Sequence, residues 1–302
     1  MKLLKKLCSI HAPSGEENRI SEFIIDYVNT NMHNWKVKPK IYSGDGFQDS
    51  IILSFGKPKT AIYAHMDSIG FTVKYNNEII KIGGPVVKNG IELIGSDSKG
   101  KVEGKIIKKN EKIFIDFKRE IDRGTSLTFK MNFKEGKDYI QSSYLDNRLG
   151  VWNALKVAEN LENGIIVFSC WEEHGGGSVG FLTNFIHTKY NISQALISDI
   201  TWVTEGVKAG KGVAISLRDS GIPRKKFVNK IIDLAKKNNI SYQLEVESSG
   251  GSDGNEIQKS PFPIDWCFIG AAEQNVHSPK EKVHKDDIKS MVKIYEMLMK
   301  EL

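Results

Sequence analysis

A 302-residue chain that carries Ile165-Ile166-Val167-Phe168-Ser169-Cys170-Trp171, followed at once by Glu172-Glu173-His174-Gly175-Gly176-Gly177, has few folds open to it. The continuous apolar run, rich in β-branched and aromatic side chains, reads as a strand buried on both faces of a parallel sheet, which needs covering layers above and below. Its abrupt end sets two adjacent acids at the carboxyl end of a strand, where open α/β sheets gather ligands and catalysts. Neighbouring carboxylates repel. A buried pair needs a counter-charge, and a metal ion supplies one while dividing the labour: one Glu binds it, the other handles a proton. The competing reading is a strand end running into a solvated loop.

Helix and strand patterns alternate on both sides of one long exception. Upstream, Ser14-Gly15-Glu16-Glu17 reads as a capping box opening a helix with Ile20, Phe23, Ile24, Tyr27 and Val28 on one face. Strand-like segments follow at 36–42, 50–55 and 61–64, the last running into His65-Met66-Asp67. Downstream, 146–161 is a helix candidate, followed by the Ile165 strand, a helix over 179–187 and strands at 195–199, 213–217, 242–246 and 265–269. Pro223 opens one further helix, and an amphipathic helix over 286–302 closes the chain. From about 70 to 141 there are only short β-rich pieces, at 71–75, 91–94, 101–107, 112–117 and 126–133, cut by Gly, Asn, Asp and Lys turns. That spacing predicts a small antiparallel barrel or sandwich inserted into an α/β domain.

Bulk composition narrows the partners. A net charge of +6 is modest for this length, and the lysines are scattered without interleaved aromatics, so they read as solvated faces and no nucleic-acid partner is expected. Three cysteines, Cys8, Cys170 and Cys267, are an odd count without pairable spacing, which suits buried thiols in a reducing compartment. The N-terminal Met1-Lys2-Leu3-Leu4-Lys5-Lys6-Leu7-Cys8 lacks the apolar core of a signal peptide, and no run approaches a membrane span. A cytoplasmic protein without a membrane partner is expected.

Residues able to hold a metal recur at strand ends and helix starts: His65 with Asp67, Asp146, Glu172 with Glu173, Asp199, and His277. Singly each is ordinary, since an Asp opening a helix is usually a cap. Together, two histidines and three or four carboxylates match the needs of two bridged divalent ions, about 3.5–4 Å apart, polarising one water. The loop Gly250-Gly251-Ser252-Asp253-Gly254 is too irregular for a dinucleotide fingerprint and lacks a phosphate-loop lysine; it is expected to wall the active site, with Asp253 a candidate for orienting substrate. His11, His33, His187 and His284 fall outside every motif and read as structural or surface residues.

Taken in order, His65-Met66-Asp67-Ser68-Ile69-Gly70, Leu145-Asp146-Asn147-Arg148-Leu149-Gly150, Trp171-Glu172-Glu173-His174-Gly175, Asp199, Gly250-Gly251-Ser252-Asp253 and His277-Ser278-Pro279-Lys280-Glu281 resemble the motifs of the M42 family of dinuclear metallo-aminopeptidases. That family includes tetrahedral, dodecameric aminopeptidases and chains once labelled endoglucanases. The β-rich insertion falls between His65 and Asp146; in M20-type peptidases it falls between the last two ligands, and M28-type enzymes lack it. The resemblance implies a three-layer α/β/α zinc-peptidase-like catalytic domain, 1–69 plus 142–302, with a small barrel-like all-β domain, 70–141, serving oligomerisation or substrate access.

It also implies roles. Asp146 would bridge two divalent ions, zinc or else cobalt or manganese; His65 and Asp199 would complete one, Glu173 and His277 the other. Glu172 would be the general base, and Asp67 would accept the other N–H of His65 without touching metal. The implied reaction removes N-terminal residues from short peptides, in a homo-oligomer between a dimer and a dodecamer. Asn147 stands where the family usually has a second Asp; that acid is no ligand, so no loss of metal is expected. His174 replaces a small apolar residue, and three roles stay open for it: tuning the base, lining the pocket, or facing solvent. Other readings are an amidase or deacylase using the same ions on N-acylated substrates, and a catalytically silent binding protein of the same fold.

Overall fold

A computed structural model describes all of residues 1–302. Helices α1 (Lys2–Cys8) and α2 (Asn18–Asn31) precede β1 (Lys40–Tyr42), β2 (Ile51–Phe55) and β3 (Ala61–His65). Next come β4 (Gly70–Val73), β5 (Ile79–Ile82), β6 (Glu92–Asp97), β7 (Gly100–Lys109), β8 (Lys112–Asp116) and β9 (Ser126–Phe129). After β10 (Lys134–Glu135) and β11 (Tyr139–Ser142) the chain runs through α3 (Leu145–Ala158), β12 (Gly164–Ser169), α4 (Val179–Tyr190), β13 (Gln194–Trp202) and β14 (Val213–Arg218). It closes with α5 (Lys225–Lys237), β15 (Tyr242–Val246), α6 (Asp253–Lys259), β16 (Asp265–Gln274), β17 (Glu281–His284) and α7 (Lys285–Glu301).

Eleven strands form one mixed sheet ordered β1-β2-β12-β3-β13-β16-β17-β11-β10, with β14 on β16 and β15 on β14. The apolar run of β12 alternates as a doubly covered strand must: Ile165 and Val167 enter the core on one face, Ile166 and Phe168 the core on the other. Helices α1, α3, α5 and α7 pack over the larger core and α4 with α6 over the smaller, giving the expected α/β/α layering. The sheet is not purely parallel, however: β12 runs parallel to β3 and antiparallel to β2.

The other six strands make a separate antiparallel sheet, β5-β4-β9-β6-β7-β8, curled until Glu78, just before β5, bridges Phe114 of β8. Its nearly closed interior holds its own core of twelve buried residues, Phe71, Leu93 and Phe129 among them. All its strands fall within 70–129, whereas β11, inside the 70–141 insertion expected from sequence, pairs with β17 of the larger sheet, and β10 pairs with β11 at that sheet's edge. We therefore propose that the seam between the two units lies near residue 130.

The local expectations differ in a few places. Ser14 does not cap α2, whose N-cap is Glu17 without a side-chain bond; Ser14 Oγ instead donates to Asp67 Oδ2 at 2.6 Å. The helix expected over 146–161 is broken at its head, where Asp146 (φ −76°, ψ 108°) and Asn147 (φ −117°, ψ 35°) leave helical geometry. All three cysteines are free and buried, and burial pushes the Cys8 thiol up to about 12.

Candidate functional site

The long middle strands deliver acids and imidazoles to one place. His65 ends β3 opposite Ser169 of β12, and Glu172 and Glu173 follow β12 in a single helical turn. Asp199 lies in β13, in register with Gly270 of β16, and His277 follows the end of β16. Asp146 reaches the same point from the head of α3, which lies close against β13. Gly150 makes that approach achievable: a Cβ there would overlap the Ser198 carbonyl oxygen.

Asp146 is the hinge of the arrangement. Its Oδ1 lies 3.3 Å from His65 Nε2 and its Oδ2 lies 3.2 Å from His277 Nε2. His65 Nε2 is also 3.6 Å from Asp199 Oδ2, and His277 Nε2 is 3.3 Å from Glu173 Oε2. Two potential ligand groups result, His65/Asp146/Asp199 and Asp146/Glu173/His277, with Asp146 common to both. Glu172 belongs to neither, and its Oε2 stands 3.8 Å from His65 Nε2. The ligand set the resemblance implied is thus gathered around one carboxylate.

Electrostatics describe a site built for cations. Burial alone would strip His65 of its proton, yet Asp199, Glu172, Asp146 and Asp67 outweigh it and raise its pKa well above the usual value. His277 follows the same pattern: burial lowers it, Asp146 and Glu173 raise it, and the result is about 11. Burial drives Glu172 well upward, with the neighbouring charges of Glu173 and Asp199 adding to the rise, and burial lifts Asp199 as well. The buried Glu173 Oε1 has no hydrogen-bond partner. An unpartnered buried acceptor beside imidazoles that hold protons against carboxylates fits divalent ions, which would displace those protons. Nitrogen and oxygen donors without thiolate suit zinc, cobalt or manganese.

Other residues position the candidate ligands. Asp67, fully buried, accepts the backbone N–H groups of Glu172 and Glu173 at 3.1 Å each, and its Oδ1 lies 3.3 Å from His65 Nδ1. Glu281 Oε2 accepts the N–H of Leu145 at 2.6 Å and of Asp146 at 3.3 Å, fixing the broken helix head. Glu17 Oε1 accepts the N–H of Trp171 at 3.0 Å; burial raises its carboxyl to about 7. Asn147 donates to the Ser198 carbonyl at 2.9 Å and accepts the Gly150 N–H at 3.0 Å, a structural role.

The small sheet also reaches the site, through a loop that the sequence pattern did not single out. The turn after β5 lies against His277: Val86 donates to the His277 carbonyl at 2.9 Å, and a Cβ on Gly84 would meet His277 Nδ1 at 3.0 Å. His174 belongs to this contact. It is exposed, accepts the Gly83 N–H at Nδ1, and does not line the cavity beside the candidate ligands. Asp253 likewise stays out of that cavity, buried under the Ser169 hydroxyl at 2.5 Å. His11, His187 and His284 hold hydrogen bonds to Thr128, Ile192 and Asp286 away from the centre.

The cavity encloses about 320 Å³, bounded by the five candidate ligands, Glu172 and residues of β13 and of the loops after β14 and β15. A larger cleft of about 490 Å³, between Lys57, Asn160 and Lys300, contains none of these residues.

Comparison with known proteins points the same way. The sequence profile described as M42 glutamyl aminopeptidase matches residues 96–294. A curated relative from Acetivibrio thermocellus, named provisionally as an aminopeptidase, is 30% identical, with 97% of this chain and 96% of that one covered. Among solved structures, an aminopeptidase from the archaeon Desulfurococcus kamchatkensis superposes with a TM-score of 0.89 at 23% identity, covering 100% of this chain and 94% of the other. The Pyrococcus horikoshii TET1 peptidase, which can assemble into a tetrahedron or a large octahedral shell, superposes at 0.83 with 24% identity, covering 100% and 99%. By profile, relative and fold alike, the chain belongs to the M42 glutamyl aminopeptidase family and is a hydrolytic metallo-exopeptidase.

Proposed function

We propose that this enzyme removes N-terminal residues from short peptides with two divalent ions, zinc foremost. His65 and Asp199 would hold one, Glu173 and His277 the other, and Asp146 both. The observation that carries this is Asp146 itself, whose two carboxylate oxygens each face a different histidine at 3.3 and 3.2 Å. When bound, such ions polarise the scissile carbonyl and lower the pKa of water.

The chain's own residues supply the rest. Glu172, in the cavity but outside both ligand groups, takes a proton from the attacking water as its oxygen bonds to the carbonyl carbon. It then passes that proton to the amine nitrogen as the C–N bond breaks. Burial, with the neighbouring charges of Glu173 and Asp199, shifts its pKa upward, the direction that makes a carboxylate a better base. Asp67 is a positioning residue that holds the Glu172 and Glu173 backbone and orients His65.

The assembly described for the TET1 peptidase supports a homo-oligomer here too, with the small β unit as the contact surface. No helix is long and apolar enough to cross a membrane, consistent with action on peptides in the cytoplasm.

The test is release of the N-terminal residue from aminoacyl amides by metal-loaded protein and by Glu172→Gln. The variant should keep its metal and lose about 10²–10⁴ in kcat. Full activity in the variant would remove Glu172 from the reaction, and activity only on N-acylated substrates would make the enzyme a deacylase.

A further inference from the structure

The cavity is more acidic than its ions require. Seven carboxylates line it. Asp146, Glu173 and Asp199 are the proposed ligands and Glu172 the proposed base, and two divalent ions offset those four charges. Asp219, Glu245 and Glu247 remain, and no lysine or arginine lines the cavity to answer them.

Glu245 points inward against the preference of its strand. In β15, Leu244 and Val246 face outward, 44% and 62% exposed, while Glu245 between them is 3% exposed. A half-buried strand normally turns its apolar residues in, and a buried acid normally has a cationic partner. Glu245 has none: it accepts the Thr201 hydroxyl, and its other polar neighbours are the Ser216 hydroxyl and the carboxyls of Asp219 and Glu247. Asp219 is buried beside it and accepts the Gly221 N–H at 2.5 Å. Arg218 directs its Nε–H to the Asp219 carbonyl, not the carboxylate, at 3.3 Å. Burial raises the carboxyl pKa of both Glu245 and Asp219, a cost that a cation entering the cavity would relieve.

The spacing fits a long side chain. Thr201 lies two residues past Asp199 on the same face of β13, about 7 Å along the strand. The Glu245 carboxylate, one hydroxyl beyond, stands at a reach that the stem of lysine or arginine spans. Trp202 and Phe268 line the same cavity and offer apolar surface to such a stem.

We propose that Glu245, with Asp219 and Glu247, forms the side-chain pocket for a cationic N-terminal residue, so that the enzyme prefers peptides beginning with lysine or arginine. The proposal rests on the aminopeptidase function above. A glutamyl side chain, the preference carried in the family's description, would enter against three carboxylates.

The experiment compares kcat/KM of the metal-loaded enzyme on lysyl, arginyl, norleucyl, leucyl and glutamyl amides; norleucine keeps the lysine stem and drops the charge. Lysyl and arginyl substrates should exceed norleucyl by about tenfold or more, with glutamyl poorest. Glu245→Gln should bring the lysyl-to-norleucyl ratio to about 2 or below. Glu247→Lys, at a half-buried position that tolerates the longer side chain, should lower the same ratio. Circular dichroism and metal content establish that each variant is folded and loaded. Equal or better turnover of leucyl or glutamyl substrates by the parent enzyme overturns the proposal and leaves the aminopeptidase function standing. An equal fall on all substrates in Glu245→Gln also overturns it, since the acids would then serve only the α-ammonium. No release from any free-amine substrate overturns both.

Discussion

Two amide protons, from Glu172 and Glu173, converge on the carboxylate of Asp67, which also takes the Ser14 hydroxyl and stands beside His65 Nδ1. Each of those contacts needs an acceptor. Asp67→Asn replaces one oxygen with an amide nitrogen and turns an N–H donor toward another. The expected result is a loss of about 10–100-fold in metal affinity, read by competition with a chelator of known affinity. Turnover by fully loaded variant should fall as well, because Glu172 loses its backbone anchor. The nearness of Asp67 to His65 follows from His65-Met66-Asp67, but the link to Ser14 does not. Ser14 satisfies the pattern of a capping box, and nothing local says that its hydroxyl is spent on a residue 53 positions away. Backbone conformation was equally hidden: Tyr144, Trp171 and His277, each next to or within the ligand motifs, have φ of 67°, 62° and 60° without being glycine. Such conformations persist only where surrounding structure imposes them, a property of the assembled site.

At the level of elements, long strongly patterned segments were readable and short ones were not. The β12 run, the closing helix and the β-rich character of the insertion follow from periodicity, since each buries a continuous apolar face. Strand β17 escapes the pattern because its inward positions are Glu281 and Val283, and a buried Glu mimics an exposed one in sequence. Helix α6 escapes because it has seven residues and begins inside a glycine loop. The most consequential omission is the turn after β5, where Gly84 lets the small sheet touch His277, a proposed ligand. Gly84→Ala sets a methyl 3.0 Å from His277 Nδ1, so the imidazole must shift. A neighbour on the loop backbone, Val86, already holds the His277 carbonyl, which restricts how far the residue can give way. We expect the variant to bind one ion per chain as tightly as the parent and the second about tenfold or more weakly, because only the Glu173/His277 group is disturbed. Metal titration followed by isothermal calorimetry resolves the two sites.

For the molecule as a whole, the proposed ion pair joins β3, β12, β13, the loop after β16 and the head of α3, so its removal should be felt throughout. The direction with pH follows from the shifts. In the ion-free protein His277 has its pKa raised to about 11, so its contribution to stability is fully present below the unfolded value and is lost as pH rises toward 11. Glu172, Glu173 and Asp199 are raised too, burial first among the causes, so each increasingly opposes folding as pH rises above its unfolded value. Both effects weaken the ion-free protein toward alkaline pH. The loaded protein runs the other way, because its ligands bind in deprotonated form and compete with fewer protons as pH rises. Chelation should therefore lower the melting temperature little at about pH 6 and by about 5 °C or more at about pH 9, at equal total metal. Scanning fluorimetry with and without chelator at the two pH values makes the comparison. A difference that shrinks with rising pH would mean that the carboxylates and imidazoles gathered on Asp146 are a self-compensating ion cluster, with no need of a metal to hold these five elements together.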